Sequence, residues 1–279
     1  MPSGVAPECF REALLERGPA CAGATDVGLV RRRNEDAYWI AEDGSALVVA
    51  DGLGGLPAGD VASTLAVAAV AEFLQPETEP ARALVAAAAG PGSQQARMES
   101  PRARAGLEQR VREAAAHAQR AVLDASLTRP ALFGMATTLA LALVVDGMAA
   151  VLHVGDSRAA LWRNGRLVCT TFDHNAVGDL LRIGALTPEQ ARHHPERNLV
   201  REVIGMPDGY QAECQSWTLE AGDVLVLCTD GVTEAMHEED MTRILTTAPD
   251  AASAAVALVE VAASEGGFDN ATAVVRYVT

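Results

Sequence analysis

The chain repeats one pattern three times: two mostly apolar runs separated by a polar residue and a glycine. Aspartate or asparagine followed by glycine favours two-residue turns between antiparallel strands. We therefore predict three β-hairpins. Their turns are Asp43-Gly44 between DAYWIAE and SALVVAD, Asp146-Gly147 between TTLALALVV and MAAVLHVG, and Asn164-Gly165 between AALWR and RLVCT.

Three other stretches carry apolar residues at three- and four-residue spacing, which is typical of helices: Asp60 to Leu74, Gly106 to Leu127 and Ala251 to Ser264. The last run, ATAVVRYV, predicts a closing strand. Strands and helices in separate blocks indicate an α+β fold, not a doubly wound parallel sheet. We expect a four-layer α-β-β-α sandwich, in which two antiparallel sheets face each other and helices flank them.

Three regions are less regular. Residues 1–20 have the character of a short extension, with one or two helical turns from Glu8 to Arg17. The prolines and glycines of Pro76 to Ala105 predict a mobile surface loop. Asn175 to Asn198 is irregular apart from a short helix that starts at LTPEQA. We expect residues 21–279 to form one domain.

Composition narrows the classes of partner. The chain has 279 residues, of which 49% are apolar, enough for a substantial core. Its formal net charge of −15 argues against nucleic acid or an anionic membrane as a partner, because either needs a clustered basic surface. Apolar runs are broken before they reach the ~18 residues of a membrane span.

The basic residues and cysteines narrow the chemistry further. All 22 basic residues are arginine, which removes reactions that need lysine, such as Schiff-base formation. The five cysteines are widely spaced and include no Cys-x-x-Cys pair. Reduced thiols of this kind suit a reducing cytosol, so we expect a cytoplasmic protein.

Four aspartates stand at the ends of predicted buried strands. Asp51 ends ALVVA, Asp156 follows VLHVG, Asp230 ends VLVLCT, and Asp269 precedes the last strand. Each one alone is compatible with a turn or a helix cap. Together they can converge at one rim of the sandwich, where carboxylates repel one another unless cations neutralise them. The joint pattern therefore predicts bound metal.

The predicted ligands are hard oxygens, and no cysteines and histidines occur at zinc-finger spacing, so Mg²⁺ or Mn²⁺ is favoured over Zn²⁺. Near the N-terminus, the run RRRNED at 31–36 places three arginines beside carboxylates. A guanidinium there can bind a phosphate through two hydrogen bonds while the carboxylates hold metal-bound water. The alternative is a solvated charge run before a strand.

Seven motifs in order resemble those of the bacterial type 2C (PPM) metal-dependent serine/threonine protein phosphatases. They are GLVRRRNEDA, ADGLGG, GMATTLALAL, HVGDSRAALWRNG, HHPERN, VLCTDGVTE and GGFDNATAVV, and the resemblance covers about Ala22 to Thr279. It implies two core Mn²⁺ or Mg²⁺ ions and a third, weaker one. By this resemblance Asp51 bridges the core ions, the Gly52 carbonyl joins the second, and Asp230 and Asp269 complete the first.

The same resemblance assigns the remaining site residues. Glu35 and Asp36 act near the metals, largely through ordered water. Arg31 binds the substrate phosphate. Asp156, together with Asn198, matches the site of the third metal.

Two further features follow from the resemblance. Residues 175–198 match the flap, a segment next to the active site where family members vary and substrates are thought to dock. Leu53 departs from the pattern of some family members, which carry a histidine there as the general acid. Leaving-group protonation must then come from a metal-bound water or from another group.

The implied reaction is hydrolysis of phosphoserine or phosphothreonine in proteins by a hydroxide that bridges two metal ions and attacks phosphorus directly. No phosphoenzyme is required. The sequence fits this, since it contains no Asp-x-Asp pair and no cysteine followed by arginine six positions later.

Two alternatives stay open on the same fold. One is a phosphatase of small phosphoesters, or a sporulation-type regulator of a single phosphoprotein. The other is a catalytically silent binding module, which would normally lack a metal aspartate. As partners we expect phosphorylated protein substrates of a serine/threonine kinase, with no nucleic acid and no membrane, and we expect a monomer.

Overall fold

The computed structural model of the protein describes residues 11–16, 20–53, 58–74 and 100–279. The strands in these ranges are β1 (Arg11–Glu16), β2 (Cys21–Asp26), β3 (Asp36–Ile40), β4 (Ala46–Asp51), β5 (Leu139–Val145), β6 (Met148–Val154), β7 (Arg158–Arg163), β8 (Arg166–Thr170), β9 (Glu213–Thr218), β10 (Val224–Cys228) and β11 (Ala271–Tyr277). The helices are α1 (Gly59–Leu74), α2 (Pro101–Thr128), α3 (Ala176–Arg182), α4 (Pro188–Arg192), α5 (Asp230–Ala235), α6 (Glu238–Thr247) and α7 (Ala251–Ser264), with a 3-10 turn at Pro130–Leu132.

The strands form two antiparallel sheets. The six-stranded sheet has the order β1-β2-β11-β10-β7-β8, and the five-stranded sheet has the order β3-β4-β5-β6-β9. Helices α1 and α2 pack on the five-stranded sheet, and α7 packs on β2 and β11 of the other. The predicted sandwich of two antiparallel sheets flanked by helices is confirmed.

Three apolar layers explain why the central strands are apolar on both faces. In β4, Val48 packs toward α1 and α2, whereas the neighbouring Val49 packs between the sheets. In β10, Val226 packs toward α6 and α7, whereas Leu227 packs between the sheets. Because successive side chains of a strand point to opposite faces, a strand covered on both faces becomes a continuous apolar run.

The predicted hairpins are confirmed, since β3 pairs with β4, β5 with β6 and β7 with β8. In the β5-β6 turn, Asp146 and Gly147 both have positive φ angles, of 49° and 78°. Asn164 and Gly165 repeat this geometry in the β7-β8 turn, at 52° and 70°. Such turns need residues that tolerate the left-handed region, which is why these pairs mark them in the sequence.

The three predicted long helices are also confirmed, although α2 begins at Pro101, before the predicted Gly106. Ser100 caps α2 by accepting a hydrogen bond from the Ala103 backbone N–H, and proline suits the first helical turn. The predicted loop from Pro76 to Ala105 is therefore wrong at its last five residues, and its part at 76–99 lies outside the described residues. Helix α4 starts after the capping Thr187 of LTPEQA, as predicted.

The prediction of helical turns from Glu8 to Arg17 is wrong over the described residues. Arg11–Glu16 forms β1, which pairs with β2 at the edge of the six-stranded sheet. Backbone pairing with an available strand edge outweighs the modest helix propensity of a short segment. Part of the predicted extension thus adds a strand to the sheet. Helices α3, α5 and α6 and strands β2 and β9 were not predicted.

The described helices bear on whether the chain crosses a membrane. None of them combines the length and the apolar character that crossing a membrane requires.

We predict that Leu141→Ala lowers the free energy of unfolding by about 2–5 kcal/mol, since the side chain is fully buried in β5 and its loss leaves a cavity. Urea unfolding followed by circular dichroism measures this change. Leu127→Ala is the matched control, because Leu127 is 60% exposed on α2, and it should cost less than about 0.5 kcal/mol. Equal costs at the two positions would contradict the assignment of the core.

Candidate metal centre

The site begins with two carboxylates on neighbouring strands. Asp36 is the first residue of β3 and Asp51 is the last residue of β4. The two are register partners in the antiparallel pair, so their side chains lie on the same face and close together. The hairpin geometry alone brings these two acids to one rim.

Two threonines hold the backbone of Asp51. The Thr138 hydroxyl accepts a hydrogen bond from the Asp51 N–H at 2.9 Å, and the Thr137 hydroxyl donates to the Asp51 carbonyl at 2.7 Å. Both threonines are buried immediately before β5. The position of Asp51 is therefore fixed from the adjoining strand.

Asp36 connects the two sheets. Its Oδ2 accepts hydrogen bonds from the hydroxyls of Thr229, at 2.8 Å, and Thr272, at 2.6 Å. Thr229 follows β10 and Thr272 lies in β11, so both donors belong to the six-stranded sheet. One oxygen of Asp36 is thus anchored, and the other, Oδ1, is left for a different partner.

The other three predicted aspartates stand where the sequence placed them, at strand ends. Asp156 follows β6, Asp230 begins α5 two residues after β10, and Asp269 precedes β11. Electrostatic repulsion from Asp36, Asp230, Asp156 and Asp269 acts on Asp51. The structure therefore brings all four predicted strand-end aspartates together, with Asp36.

Burial and mutual repulsion shift the pKa values in this cluster upward. Burial first, and then repulsion from neighbouring acids, raises the pKa of Asp51 and of Asp230 well above the ordinary value. Burial raises the pKa of Asp36 to about 6, although the hydrogen bonds from Thr272 and Thr229 lower it. Burial and the charge of Asp173 raise the pKa of Asp156 to about 7. Without cations, the fully charged cluster is costly near neutral pH.

Two carboxylate oxygens in the cluster fit a cation. Asp36 Oδ1 and Asp230 Oδ1 are buried and have no hydrogen-bond partner among the described residues. A buried acceptor without a donor costs free energy, and a hard divalent cation satisfies such an oxygen. The donor set here consists of carboxylates and backbone carbonyls, which Mg²⁺ and Mn²⁺ prefer. The residues present therefore fit the predicted metals.

Gly52 lies in a gap too narrow for a side chain. A Cβ at this position would stand 2.2 Å from the carbonyl oxygen of Gly59 and 2.8 Å from that of Glu35. The Gly52 N–H donates to the Glu35 carbonyl at 3.0 Å. Only glycine lets β4 pass this closely to the start of α1, which places the Gly52 backbone beside Glu35.

Glu35 is partly buried beside the first turn of α1. Burial and the charge of Asp60 raise the pKa of Glu35, and Arg31 acts in the opposite direction. The backbone carbonyl of Glu35 accepts from Gly52, next to Asp51, and the predicted role of Glu35 near the metals stays a prediction.

Arg31 lies on a loop that the side chain of Asn270 holds in place. Asn270 donates to the carbonyls of Val27, at 2.8 Å, and Arg33, at 3.0 Å, and accepts from the Glu35 N–H at 2.8 Å. The amide thus fixes both ends of the loop. Gly28 reaches a φ of 76° there, and a Cβ would stand 2.4 Å from the Asp269 carbonyl oxygen.

The guanidinium of Arg31 points to the carboxylate cluster. Its Nη2 donates to Asp269 Oδ2 at 2.6 Å, and the two side chains are 40% and 32% exposed. An arginine that is partly exposed at the edge of a carboxylate cluster can meet an incoming anion from solvent. Arg32 and Arg33 are exposed, and Arg33 approaches Asp60 at 3.6 Å.

The pairing of Asp156 with Asn198 does not appear among the described contacts. Asp156 is buried beside Asp173, which pairs with Arg158 through two hydrogen bonds of 2.6 and 2.7 Å. Asn198 is exposed in a turn. The joint role of Asp156 and Asn198 stays a prediction.

Residues 175–198, the predicted flap, contain α3 and α4, and residues of both helices line a cavity together with aspartates of the cluster. Arg192 of the flap donates hydrogen bonds to the carbonyls of Thr233, Glu234 and Met236 at the end of α5. A cavity of about 640 Å³ lies under the flap, with Asp230 in its lining. The lining also includes Asp156, Asp269, Arg158, Arg197, Trp162 and Met236. The flap thus covers space that opens from the carboxylates.

Sequence reasoning missed the residues that position the acids. Thr229, Thr272 and Asn270 hold Asp36 and the Arg31 loop, and Thr137 and Thr138 hold Asp51. A usable signal was present, because Thr229 and Asn270 directly neighbour Asp230 and Asp269 in the sequence. Leu53, beside Gly52, is partly buried and donates its backbone N–H to the Ala136 carbonyl at 3.0 Å.

Comparison with known proteins matches most of the chain to the type 2C phosphatase family that the sequence motifs resemble. The family described as Protein phosphatase 2C matches residues 31–261. The chain is 34% identical over 260 residues to serine/threonine protein phosphatase PstP of Mycobacterium tuberculosis strain H37Rv, covering 92% of this chain and 44% of PstP. It is 32% identical over 255 residues to protein phosphatase PhpP of Streptococcus pneumoniae strain R6, covering 89% and 93%. It therefore spans less than half of PstP but most of PhpP.

A solved structure extends the likeness to three dimensions. The catalytic domain of PstP in complex with two manganese ions matches with a TM-score of 0.73 at 30% identity, covering 93% of this chain and 98% of that domain. The two sheets, their helices and the order of the motifs agree with this likeness. The chain belongs to the protein phosphatase 2C family.

Proposed function

We propose that the protein is a metal-dependent phosphatase that hydrolyses phosphoserine and phosphothreonine in other proteins. The observation that carries this proposal is the convergence of five aspartates beside the guanidinium of Arg31. Two of these aspartates have a buried oxygen with no partner among the residues that the structure describes. The relatives PstP and PhpP, which are protein phosphatases by name, support it.

The residues that would hold the core ions are Asp51, Asp230 and Asp269, with the carbonyl of Gly52. Glu35 and Asp36 would order water around them, and Asp156 with Asn198 would hold a third, weaker ion. The manganese ions in the PstP catalytic domain support Mn²⁺, and Mg²⁺ suits the same oxygen ligands. When bound, these ions activate water and stabilise the charge that develops on the phosphoryl group.

The protein's own residues position the substrate. Arg31 binds two phosphoryl oxygens and stabilises their growing negative charge as the ester bond breaks. Asn270 fixes the Arg31 loop, so the guanidinium needs little reorganisation when substrate arrives. Asp36 keeps its free oxygen toward the cluster because Thr229 and Thr272 hold the other.

The proposed substrates are phosphoproteins, and the proposed opposing partner is a serine/threonine kinase. We place the protein in the cytoplasm as a monomer. No disulfide joins Cys21, Cys169, Cys214 or Cys228 within the described part of the chain, which suits a reducing compartment.

We predict that Asp230→Asn lowers kcat/KM on a phosphothreonine peptide by at least about 100-fold with Mn²⁺ or Mg²⁺, because it removes one ligand charge at nearly constant volume. The rise in Tm on adding Mn²⁺ should shrink in the same variant. Asp240→Asn is the control and should behave like wild type, because this side chain on α6 is 41% exposed.

Folded wild-type protein that stays inactive with both metals on several phosphopeptides would sink the enzyme proposal in favour of a binding module. Faster turnover on small phosphoesters than on phosphopeptides would favour the small-molecule alternative.

We expect Arg31→Ala to lower kcat/KM on the same peptide by about 100-fold, since it removes a charged donor to the phosphoryl oxygens. Arg32→Ala is the matched control and should leave kcat/KM nearly unchanged, because Arg32 is exposed. Steady-state kinetics measure kcat/KM for both variants. Similar losses in the two would mean that general positive charge, and not Arg31 itself, attracts the substrate.

Asp36→Asn should stabilise the metal-free protein at pH 7.5 by on the order of 1 kcal/mol. Folding raises the pKa of Asp36 from 3.8 to about 6, so the folded state favours the protonated carboxyl. The stability that this carboxyl contributes is fully present below pH 4 and is lost as pH rises through 6 and the group ionises. The gain should therefore be small at pH 4.5. Urea unfolding in EDTA at both pH values measures it, with the exposed Asp124→Asn on α2 as control. Equal gains at both pH values would refute the charge-based explanation.

A further inference from the structure

A second group of potential metal ligands lies apart from the carboxylate cluster. One nitrogen from each of His153 and His174 and a carboxylate oxygen of Glu213 all lie within 4.8 Å of one another. None of these residues belongs to the proposed core site. His174 follows His153 by 21 positions and Glu213 follows His174 by 39, so only the fold assembles the three residues.

The arrangement of the strands explains the cluster. His153 in β6 and Glu213 in β9 are register partners, so their side chains lie on one face of the sheet. His174 lies on the segment that leads from β8 into the flap, and its ring centroid is 4.3 Å from that of His153. The three ligands thus come from two strands and from the base of the flap.

One ring nitrogen of His153 is buried without a hydrogen-bond partner among the described residues. The side chain is fully buried, and its Nε2 is 2.7 Å from the Phe172 carbonyl oxygen. A carbonyl only accepts hydrogen bonds, so Nε2 carries the proton and Nδ1 presents a lone pair. Nδ1 is buried and has no partner among the described residues. A buried lone pair without a donor is what a metal ligand provides before its metal binds.

Both histidines are in the protonation state that a metal requires. Burial lowers the pKa of His153 to about 4, and burial also lowers the pKa of His174. Both rings are therefore neutral near pH 7, when a lone pair is available for coordination. The hydrogen bond from Nε2 of His153 to the Phe172 carbonyl is also the outer contact that usually orients a ligating imidazole.

Two existing contacts would have to change. Arg182 of α3 pairs with Glu213 at 2.5 Å and so already supplies one positive charge. The Gly155 N–H donates to His174 Nδ1 at 3.2 Å, a long hydrogen bond. Ligand atoms of a tetrahedral zinc site stand about 3.3 Å apart. His174 and Glu213 are partly exposed, so rotation of their side chains can close the difference.

We propose that His153, His174 and Glu213 form a separate zinc site that fastens the base of the flap to the five-stranded sheet. Two imidazoles and one carboxylate favour Zn²⁺ over Mg²⁺ and Mn²⁺, which prefer oxygen ligands, and three protein ligands leave a fourth position for water. Zinc and Arg182 compete for Glu213. Occupation of the site by zinc therefore releases α3 from Glu213 while it holds the segment around His174.

The first test uses Co²⁺ as a spectroscopic probe of the full chain in saturating Mg²⁺. Cobalt bound by imidazoles in a four- or five-coordinate site absorbs visible light more strongly than cobalt in an octahedral oxygen site. We expect the stronger spectrum, and we expect Zn²⁺ to abolish it. A weak, octahedral spectrum alone would overturn the proposal.

The second test measures Zn²⁺ affinity by competition with a chelator. Glu213→Gln and His174→Gln should each weaken binding by at least about 100-fold, because each removes a direct ligand and even the loss of an outer contact of a ligand costs about 10- to 100-fold. Arg182→Gln should tighten binding by up to about 10-fold, because it removes a competing charge. His193→Gln is the matched control, since His193 pairs with Glu189 at the surface and is 77% exposed.

Misfolding can explain weaker zinc binding but not the tighter binding expected of Arg182→Gln, so the test stands even if one variant folds poorly. Circular dichroism shows whether each variant is folded. Zinc affinity that is unchanged in Glu213→Gln, His174→Gln and Arg182→Gln would assign the bound zinc to the carboxylate cluster and would refute the site. This result would leave the proposed phosphatase activity untouched, because the variants avoid the core ligands.

Discussion

Mutual repulsion among clustered carboxylates, most of them buried, is the constraint around which this structure is arranged. Asp36, Asp51, Asp156, Asp230 and Asp269 act on one another at one rim of the sandwich, and burial strengthens the repulsion. A fold that only needed stability would not gather these groups. Their cost is offset when divalent cations bind, so the same arrangement that weakens the metal-free protein gives the metal-bound protein its chemistry.

The surrounding polar contacts keep the acids in place against that repulsion. Threonine hydroxyls from one sheet hold Asp36 of the other, so the two sheets cannot slide without breaking buried hydrogen bonds. Asn270 similarly ties the Arg31 loop to the start of β11. The metal centre and the packing of the sheets are therefore one structural unit, and the flap is a separate one fastened to it through Arg192 and through the base around His174.

Several parts of the site could be predicted from sequence because they depend on neighbours along the chain. Asp51 and Asp230 stand out because each ends a continuous apolar run, and Asp269 because it precedes one. The positioning residues could not be predicted in this way. Thr272 and Asp36 are separated by 236 positions, and no local pattern links a strand threonine to a distant acid. Strand β1 was missed for the same reason, since its partner edge exists only after the sheet forms.

By itself, the sequence determined the three hairpins, the long helices, the apolar strands and the acids at their ends, because turn chemistry and side-chain periodicity act over a few residues. Only the tertiary structure decided which of those acids meet, which of their oxygens have no partner within the described residues, and that His153, His174 and Glu213 come together. These outcomes depend on strand register and sheet order, which bring distant residues into contact. Register and order are set by the packing of the whole core and not by any short segment.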